Sequence, residues 1–242
     1  MTEYPRIIAH RCGGALAPEN SLPGLRIAAR LGCRGVEFDV MLSADGVPLL
    51  IHDETLDRTT TGHGRVAELS AADILRFDAG APHHKAYAVL PSLTFAEALT
   101  ECHALGLWAN VEIKPSQGHD EATARVVAAT VAASPHAARC LFSSFSRTAI
   151  AIAREVAPAV PRALLFDELP DDWAALARNH GCVGIHLNGG KIDAQRIAAM
   201  RAAGLRVACY TINRKADATA LFAAGVDAVF TDRPDQWSAA EM

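Results

Sequence analysis

"GVEFDVMLSADGVPLLIH", residues 35–52, decides how many strands this chain can set side by side. Two apolar runs, 35–42 and 47–52, flank only four residues, Ser43 to Gly46. Parallel strands need a crossover of about a dozen residues or more. The two runs therefore form an antiparallel hairpin, and Asp45-Gly46 supplies the turn chemistry.

Outside this stretch, strand-like runs recur at 6–10, 107–114, 140–145, 162–166, 183–188, 206–212 and 227–232. Helical patterns lie between them, among them 21–32, 94–106 and 193–204. In the first, Leu22, Leu25, Ile27, Ala28 and Leu31 form an apolar stripe that Gly32 terminates. Alternating strands and helices predict parallel pairing with helices covering the sheet. With the second hairpin arm set aside, eight strands remain. The expectation is an α/β fold, a single (β/α)8 TIM barrel with a β-hairpin excursion after strand 2, in one domain spanning 1–242. A doubly wound open sheet is the alternative, but the chain lacks a glycine-rich dinucleotide fingerprint.

Composition narrows the partners. Half of the 242 residues are hydrophobic and about a fifth charged, which excludes global disorder. A net charge of −4 argues against nucleic acid or an anionic membrane as the main partner. The six cysteines are dispersed, with no C-x-x-C pair, as in a reduced cytosolic protein. "MTEYPRIIAH" has neither the basic flank nor the apolar run of a signal peptide, and no stretch approaches a membrane span of roughly 18 apolar residues. A soluble, cytoplasmic protein without stable membrane association is expected.

The strand ends carry the chemistry. Side chains at i and i+2 share a face of a strand, so Glu37 and Asp39 project together, with Phe38 opposite. Asn110, Glu112 and Lys114 likewise share one face. The hairpin brings His52 beside Asp39. Glu37, Asp39 and Glu112 suit a hard divalent cation such as Mg²⁺ or Ca²⁺. His10 and His52, each ending a strand, suit an acid and a base on opposite sides of a reacting group. Arg11 and Lys114 suit an anionic substrate. Together these describe phosphoryl chemistry better than sugar or peptide hydrolysis, and zinc would call for more cysteine or histidine. Blander readings coexist: a strand-end histidine is often structural, "EFD" is compatible with a buried ion pair, and Lys114 can simply pair with Glu112. His63, His83, His84, His103, His119, His136 and His180 lie in loop or helix contexts that imply solvated roles. The cysteines other than Cys12, and Trp108, read as packing residues.

"AHRCGGALAPENS", "EFDVMLSADGVPLLIHDETLDRTTTGHG", "NVEIKP", "LFSSF", "YTIN" and "GVDAVFTDRP" together resemble the glycerophosphodiester phosphodiesterase family, in order from about residue 5 to 235. The compact length resembles its cytoplasmic branch. The resemblance implies a TIM-barrel enzyme of glycerol and lipid metabolism that hydrolyses glycerophosphodiesters to glycerol 3-phosphate and an alcohol. It implies His10 and His52 as the acid/base pair and Glu37, Asp39 and Glu112 as ligands of Mg²⁺, Ca²⁺ or Mn²⁺. It places Arg11 and Lys114 on the phosphate, Glu19 behind Arg11, and Tyr210 and, less directly, Asn188 on the substrate. Asn20 reads as a helix cap.

The family's His-Arg-Gly here reads His10-Arg11-Cys12. Glycine at that position permits special backbone angles, which Gly13 and Gly14 are expected to supply instead. Beside Arg11 and a phosphate-binding mouth, the Cys12 thiol is expected to be depressed below its usual pKa of about 8.5 and open to alkylation, without serving as nucleophile. Two rivals remain: a lipid phosphodiesterase of the lysophospholipase D or phospholipase C type, and a barrel that binds phosphate esters without catalysis. The short insertion 78–92 is only mildly apolar, against the first, and the paired histidines speak against the second.

Overall fold

The computed structural model describes residues 4–242; Met1, Thr2 and Glu3, part of the N-terminal stretch read above for leader features, lie outside the described residues. Nine strands alternate with eight helices among the described residues. In chain order they are β1 (Ile7–Ala9), α1 (Leu22–Leu31), β2 (Gly35–Leu42), β3 (Pro48–Leu50), α2 (Ala71–Ile74), α3 (Phe95–Leu105), β4 (Trp108–Ile113) and α4 (Asp120–Ala132). There follow β5 (Cys140–Ser144), α5 (Arg147–Val156), β6 (Arg162–Phe166), α6 (Trp173–His180), β7 (Gly184–Asn188), α7 (Ala194–Ala202), β8 (Arg206–Tyr210), α8 (Lys215–Ala223) and β9 (Ala228–Thr231).

β1, β2 and β4 to β9 are all parallel, and β1 pairs with both β2 and β9, which closes the sheet into an eight-stranded barrel. β3 is the extra strand. It runs antiparallel to β2, with Val40 opposite Leu50 and Leu42 opposite Pro48. Gly46 at the turn has φ +78°, which the Asp45-Gly46 pair accommodates without steric cost. The Asp45 carboxylate accepts from the Ser43 hydroxyl at 2.6 Å and from the Ala71 N–H at 2.9 Å, tying the turn to α2.

Sequence features set the helix ends. Ser21 caps α1 by accepting from Gly24 N–H, and Gly32 closes it at φ +94°. Thr94 and Glu97 form a reciprocal capping box at the start of α3. The alternation of strand faces builds two cores. Outward residues such as Ile7, Val36, Phe38 and Val40 pack under the helices, where Phe38 meets Phe95 edge-on at 6.1 Å. Such a pair contributes about 0.5–1.5 kcal/mol beyond its buried area. Inward residues Ile8, Trp108, Leu141, Ala208 and Phe230 fill the lower barrel with Tyr4. Trp108 is thus a packing residue, as expected. No helix among the described residues is long and apolar enough to cross a membrane.

His136 departs from its sequence reading. It is buried rather than solvated, lying edge-on to His103 at 5.8 Å, because the turn after α4 folds it under the chain leading into β5. Burial, and then the neighbouring His103 and Arg139, lower its pKa. His63, His83, His84, His103 and His119 are exposed and His180 is partly so.

Candidate active site

A cavity of about 260 Å³ opens at the carboxyl ends of the barrel strands, and most of the sequence-predicted residues line it. β2 points Glu37 and Asp39 inward, and β4 points Asn110 and Glu112 inward beside them. The register sets Glu37 opposite Asn110 and Asp39 opposite Glu112. Lys114 follows β4, His10 follows β1, and His52 follows β3. The hairpin delivers His52 because Ile51 N–H donates to the Asp39 carbonyl at 3.1 Å.

One oxygen from each of Glu37, Asp39 and Glu112 lies within 4.8 Å of the others. All three are buried, and Glu37 Oε1 has no hydrogen-bond partner. Burial, and then the charge of Asp39, push the carboxyls of Glu37 and Glu112 up from the usual carboxylate range. Asp39 is held low: burial opposes its charge, but Lys114, His52 and Arg11 outweigh that, with a hydrogen bond from Asn20. Lys114 Nζ stands 3.5 Å from Asp39 Oδ1 and 3.2 Å from Glu112 Oε1. A buried cluster of carboxylate oxygens with one unpartnered oxygen fits a hard divalent cation.

Each histidine is oriented by its own carboxylate. His10 Nδ1 lies 2.7 Å from Asp232 Oδ1 and His52 Nδ1 lies 2.6 Å from Asp53 Oδ1. A carboxylate only accepts, so each ring donates through Nδ1–H, and in the neutral ring Nε2 carries no proton. The two environments differ. Burial opposes charge on His10, but Asp232 and Glu37 outweigh it and raise its pKa. Burial dominates at His52 and lowers its pKa despite the pull of Asp39. Asn213 fixes Asp232 in turn, donating to Oδ2 at 2.9 Å and accepting from its backbone N–H at 2.7 Å.

Sequence reasoning missed Asp53, Asp232 and Asn213. Asp53 was readable from its place directly after His52. Asp232 reaches His10 only because β1 closes on β9, with Ala9 opposite Thr231. Arg11 and Glu19 do meet: Arg11 Nη1 donates to Oε1 at 3.0 Å and Oε2 at 3.1 Å.

Asn20 has another role than the cap expected of it, since Ser21 takes the capping position. Asn20 is buried at φ +55° and clamps Asp39, donating to Oδ2 at 2.9 Å and accepting from the Asp39 N–H at 3.1 Å. The asparagine, adaptable to the left-handed region, therefore sets a carboxylate of the site.

The expectation for Cys12 is overturned. Its backbone does take the left-handed φ of +76°, which explains the family's glycine there. Its side chain, however, is fully buried in the core shared with Leu25 and Ala28, and it does not line the cavity. Burial first, then the charges of Cys102, Glu37 and Asp39, raise the thiol pKa well above its usual value. Cys12 is a packing residue with a neutral, inaccessible thiol. Gly14 does supply conformational freedom, at φ +60°, whereas Gly13 supplies close approach.

That close approach reverses an ordinary helix rule. A Cβ at Gly24, inside α1, would sit 2.9 Å from both Cys12 Cβ and Gly13 N. Alanine normally stabilises a helix interior by about 1 kcal/mol over glycine. Here Gly24→Ala is expected to destabilise by roughly 1–3 kcal/mol, the usual range for overpacking. Urea denaturation checks the sign; a rise in midpoint would show that the loop yields freely.

Tyr210 lines the cavity, donating to the Phe166 carbonyl at 2.9 Å, with Phe145 edge-on at 6.1 Å. Asn188 does not line it: its amide donates to Asp167 Oδ1 at 2.9 Å and its oxygen accepts from Gly190 N–H at 3.0 Å. A larger depression of about 1070 Å³ lies at the opposite end of the barrel, around Tyr4, Trp108 and Arg206. There Arg201 and Arg206 share the single carboxylate of Asp227, and no acid, base and cation-binding groups converge.

Chemistry in parallel (β/α)8 barrels is performed where these groups converge, at the carboxyl ends of the strands. Comparison with known proteins makes the class specific. Residues 10–236 match the glycerophosphoryl diester phosphodiesterase family, and the chain belongs to that family. It is 28% identical over 230 residues to a glycerophosphodiester phosphodiesterase of Caldanaerobacter subterraneus subsp. tengcongensis, covering 95% of this chain and 94% of that one. Among solved structures it is similar to an Oleispira antarctica phosphodiesterase in complex with the product sn-glycerol-3-phosphate. That match has a TM-score of 0.93 and 34% identity, over 96% of this chain and 94% of the other. A glycerophosphodiester phosphodiesterase from Agrobacterium tumefaciens matches with TM-score 0.79 and 27% identity, over 98% and 100%.

Proposed function

We propose that this chain hydrolyses water-soluble glycerophosphodiesters to glycerol 3-phosphate and an alcohol, using His10 and His52 as an acid/base pair. The observation that carries this reading is the convergence of both histidines, three carboxylates, Arg11 and Lys114 on one small cavity. The Oleispira relative with its bound sn-glycerol-3-phosphate supports the product.

Glu37, Asp39 and Glu112 would hold a divalent cation. When bound, it would supply Lewis-acid stabilisation of the phosphoryl oxygens. Arg11 and Lys114 bind the phosphate and stabilise the negative charge that builds on it. Asp53 and Asp232 hold the two imidazoles so that Nε2 is available at each. One histidine takes the proton of the attacking oxygen, and the other protonates the departing alcohol oxygen as the phosphorus–oxygen bond breaks. The attacking oxygen belongs either to water or to the glycerol 2-hydroxyl, the second route passing through a cyclic phosphate.

A cavity of about 260 Å³ suits a small polar ester rather than a lipid tail. The large exposed hydrophobics among the described residues are Val89, Leu105 and Phe145, too few for an apolar membrane-facing rim. Six unpaired thiols, five of them buried, support a reducing compartment such as the cytoplasm. The test is enzyme-coupled detection of glycerol 3-phosphate from glycerophosphocholine, glycerophosphoethanolamine and glycerophosphoglycerol. Release from these is the expected result. Turnover confined to lysophospholipid micelles would replace this reading with the lipid one, and tight phosphate-ester binding without turnover would leave a binding barrel.

A further inference from the structure

We propose that Arg58, outside the cavity, is a positioning residue that couples the acid/base His52 to the phosphate-binding Arg11. The inference rests on the roles proposed above for those two residues. Arg58 belongs to the chain that follows the hairpin, and its side chain is about half exposed. It does not line the cavity. Its guanidinium is nevertheless engaged on two edges at once. Nε donates to Asp53 Oδ2 at 2.6 Å and Nη2 to Asp53 Oδ1 at 3.0 Å. Nη1 donates to Glu19 Oε2 at 2.7 Å and Nη2 to Glu19 Oε1 at 2.8 Å.

Each of those carboxylates also holds a group of the site. Asp53 Oδ1 receives His52 Nδ1 at 2.6 Å, and both Glu19 oxygens receive Arg11 Nη1 at 3.0 and 3.1 Å. A continuous chain therefore runs His52, Asp53, Arg58, Glu19, Arg11. Four of the five donors of Arg58 are consumed by two planar bidentate pairs. Such an arrangement fixes the plane of each carboxylate, hence the rotation of the His52 ring and the reach of Arg11. Without the guanidinium, Asp53 keeps only His52 to hold it and turns freely toward solvent. A lysine cannot replace it, because a point charge does not impose two planes.

The energetics favour orientation over stability. Exposed ion pairs contribute on the order of 0–1 kcal/mol to folding. Misplacing a catalytic group by about 1 Å can cost 100-fold in rate. Arg58 is thus expected to matter far more to turnover than to the melting temperature. This asymmetry separates a positioning role from a merely structural one.

The experiment compares wild type, Arg58→Ala and Arg58→Lys, with Arg58→Gln as a second neutral variant should the alanine protein fail to fold. Expected in the neutral variants are a roughly 10- to 100-fold loss of kcat and weaker inhibition by inorganic phosphate, with the melting midpoint moved by less than about 4 °C. The lysine variant should recover less than about a tenth of the loss, whereas added guanidinium ion should restore part of it to the alanine protein. Independently of turnover, long-range ¹H–¹⁵N spectra of histidine-labelled protein at pH 8 report the His52 tautomer. Wild type should show the Nδ1–H form, and the neutral variants a mixture. Native-like kcat together with an unchanged tautomer would overturn the proposal, as would full rescue by lysine. A wild type that turns over no glycerophosphodiester but shows the tautomer change would refute the functional reading while sustaining the placement of Arg58.

Discussion

His10→Ala and His52→Ala are each expected to lower kcat by roughly 10²–10⁴, the range for a lost general acid or base, and to leave the protein folded. The fold should survive because each carboxylate left behind keeps another partner: buried Glu37, 3.8 Å from His10 Nε2, still accepts from the Arg11 N–H at 2.8 Å. Removing the His10 ring leaves Asp232 with Asn213 Nδ2, and about a third of its side chain already meets solvent. Removing the His52 ring leaves Asp53 on Arg58. The magnitude follows from geometry: both rings line the cavity, and both are held through Nδ1 so that a proton can move at Nε2. A substrate pair separates the two roles. A glycerophosphodiester with a p-nitrophenol leaving group needs no proton on departure, so the variant lacking the acid should recover most of its rate. The variant lacking the base should remain slow on both substrates. Circular dichroism and a melting curve establish that each variant is folded. Near-native turnover by either variant on the natural ester would make that histidine structural.

The legible part of this molecule was the part written in local pattern. The four residues between 42 and 47 were enough to demand a hairpin, and the hairpin enough to leave eight barrel strands. Strand alternation placed Glu37, Asp39 and Glu112 on the inward faces, where they lie. What stayed hidden was set by long-range closure. Asp232 stands 222 residues from the histidine it orients, and nothing near it in sequence marks that partnership. Arg58 reads as one more loop arginine until Glu19, 39 residues away, is folded against it. Cys12 was misread for a related reason. Its neighbours in sequence, His10 and Arg11, face the cavity, and the left-handed turn at Arg11 and Cys12 sends the thiol the other way, toward Gly24. Local charge then said nothing about its environment. Asn20 fits either reading in sequence, since the same side chain serves as helix cap or carboxylate clamp. Ser21 beside it decided which.

Removing divalent cations is expected to abolish turnover, and adding back Mg²⁺, Ca²⁺ or Mn²⁺ to restore it. Three buried carboxylates within 4.8 Å of one another cannot all carry charge comfortably when their permanent counter-charges are Lys114 and Arg11, with His10 and His52 contributing only when protonated. Arg11 is moreover shared with Glu19. Burial first, and then the charge of Asp39, push the carboxyls of Glu37 and Glu112 up. A dication held by Glu37, Asp39 and Glu112 would supply the missing positive charge, and Lys114 would then be free to face an incoming phosphate. Binding to the folded protein alone also stabilises it, by about 2.7 kcal/mol at 100 times Kd. For a chain of this size that corresponds to a rise of roughly 5–10 °C in melting midpoint. The thermal shift reads binding separately from activity. Asp39→Asn keeps the shape but removes the central charge, and should lose both the shift and, by analogy with other electrostatic contacts to the reacting centre, on the order of 10²–10³ in kcat/KM. Asn188→Ala, a change outside the cavity, should keep the shift. Full turnover after exhaustive dialysis against EDTA would remove the cation from the mechanism. A thermal shift that persists in Asp39→Asn would instead place the ion elsewhere on the molecule.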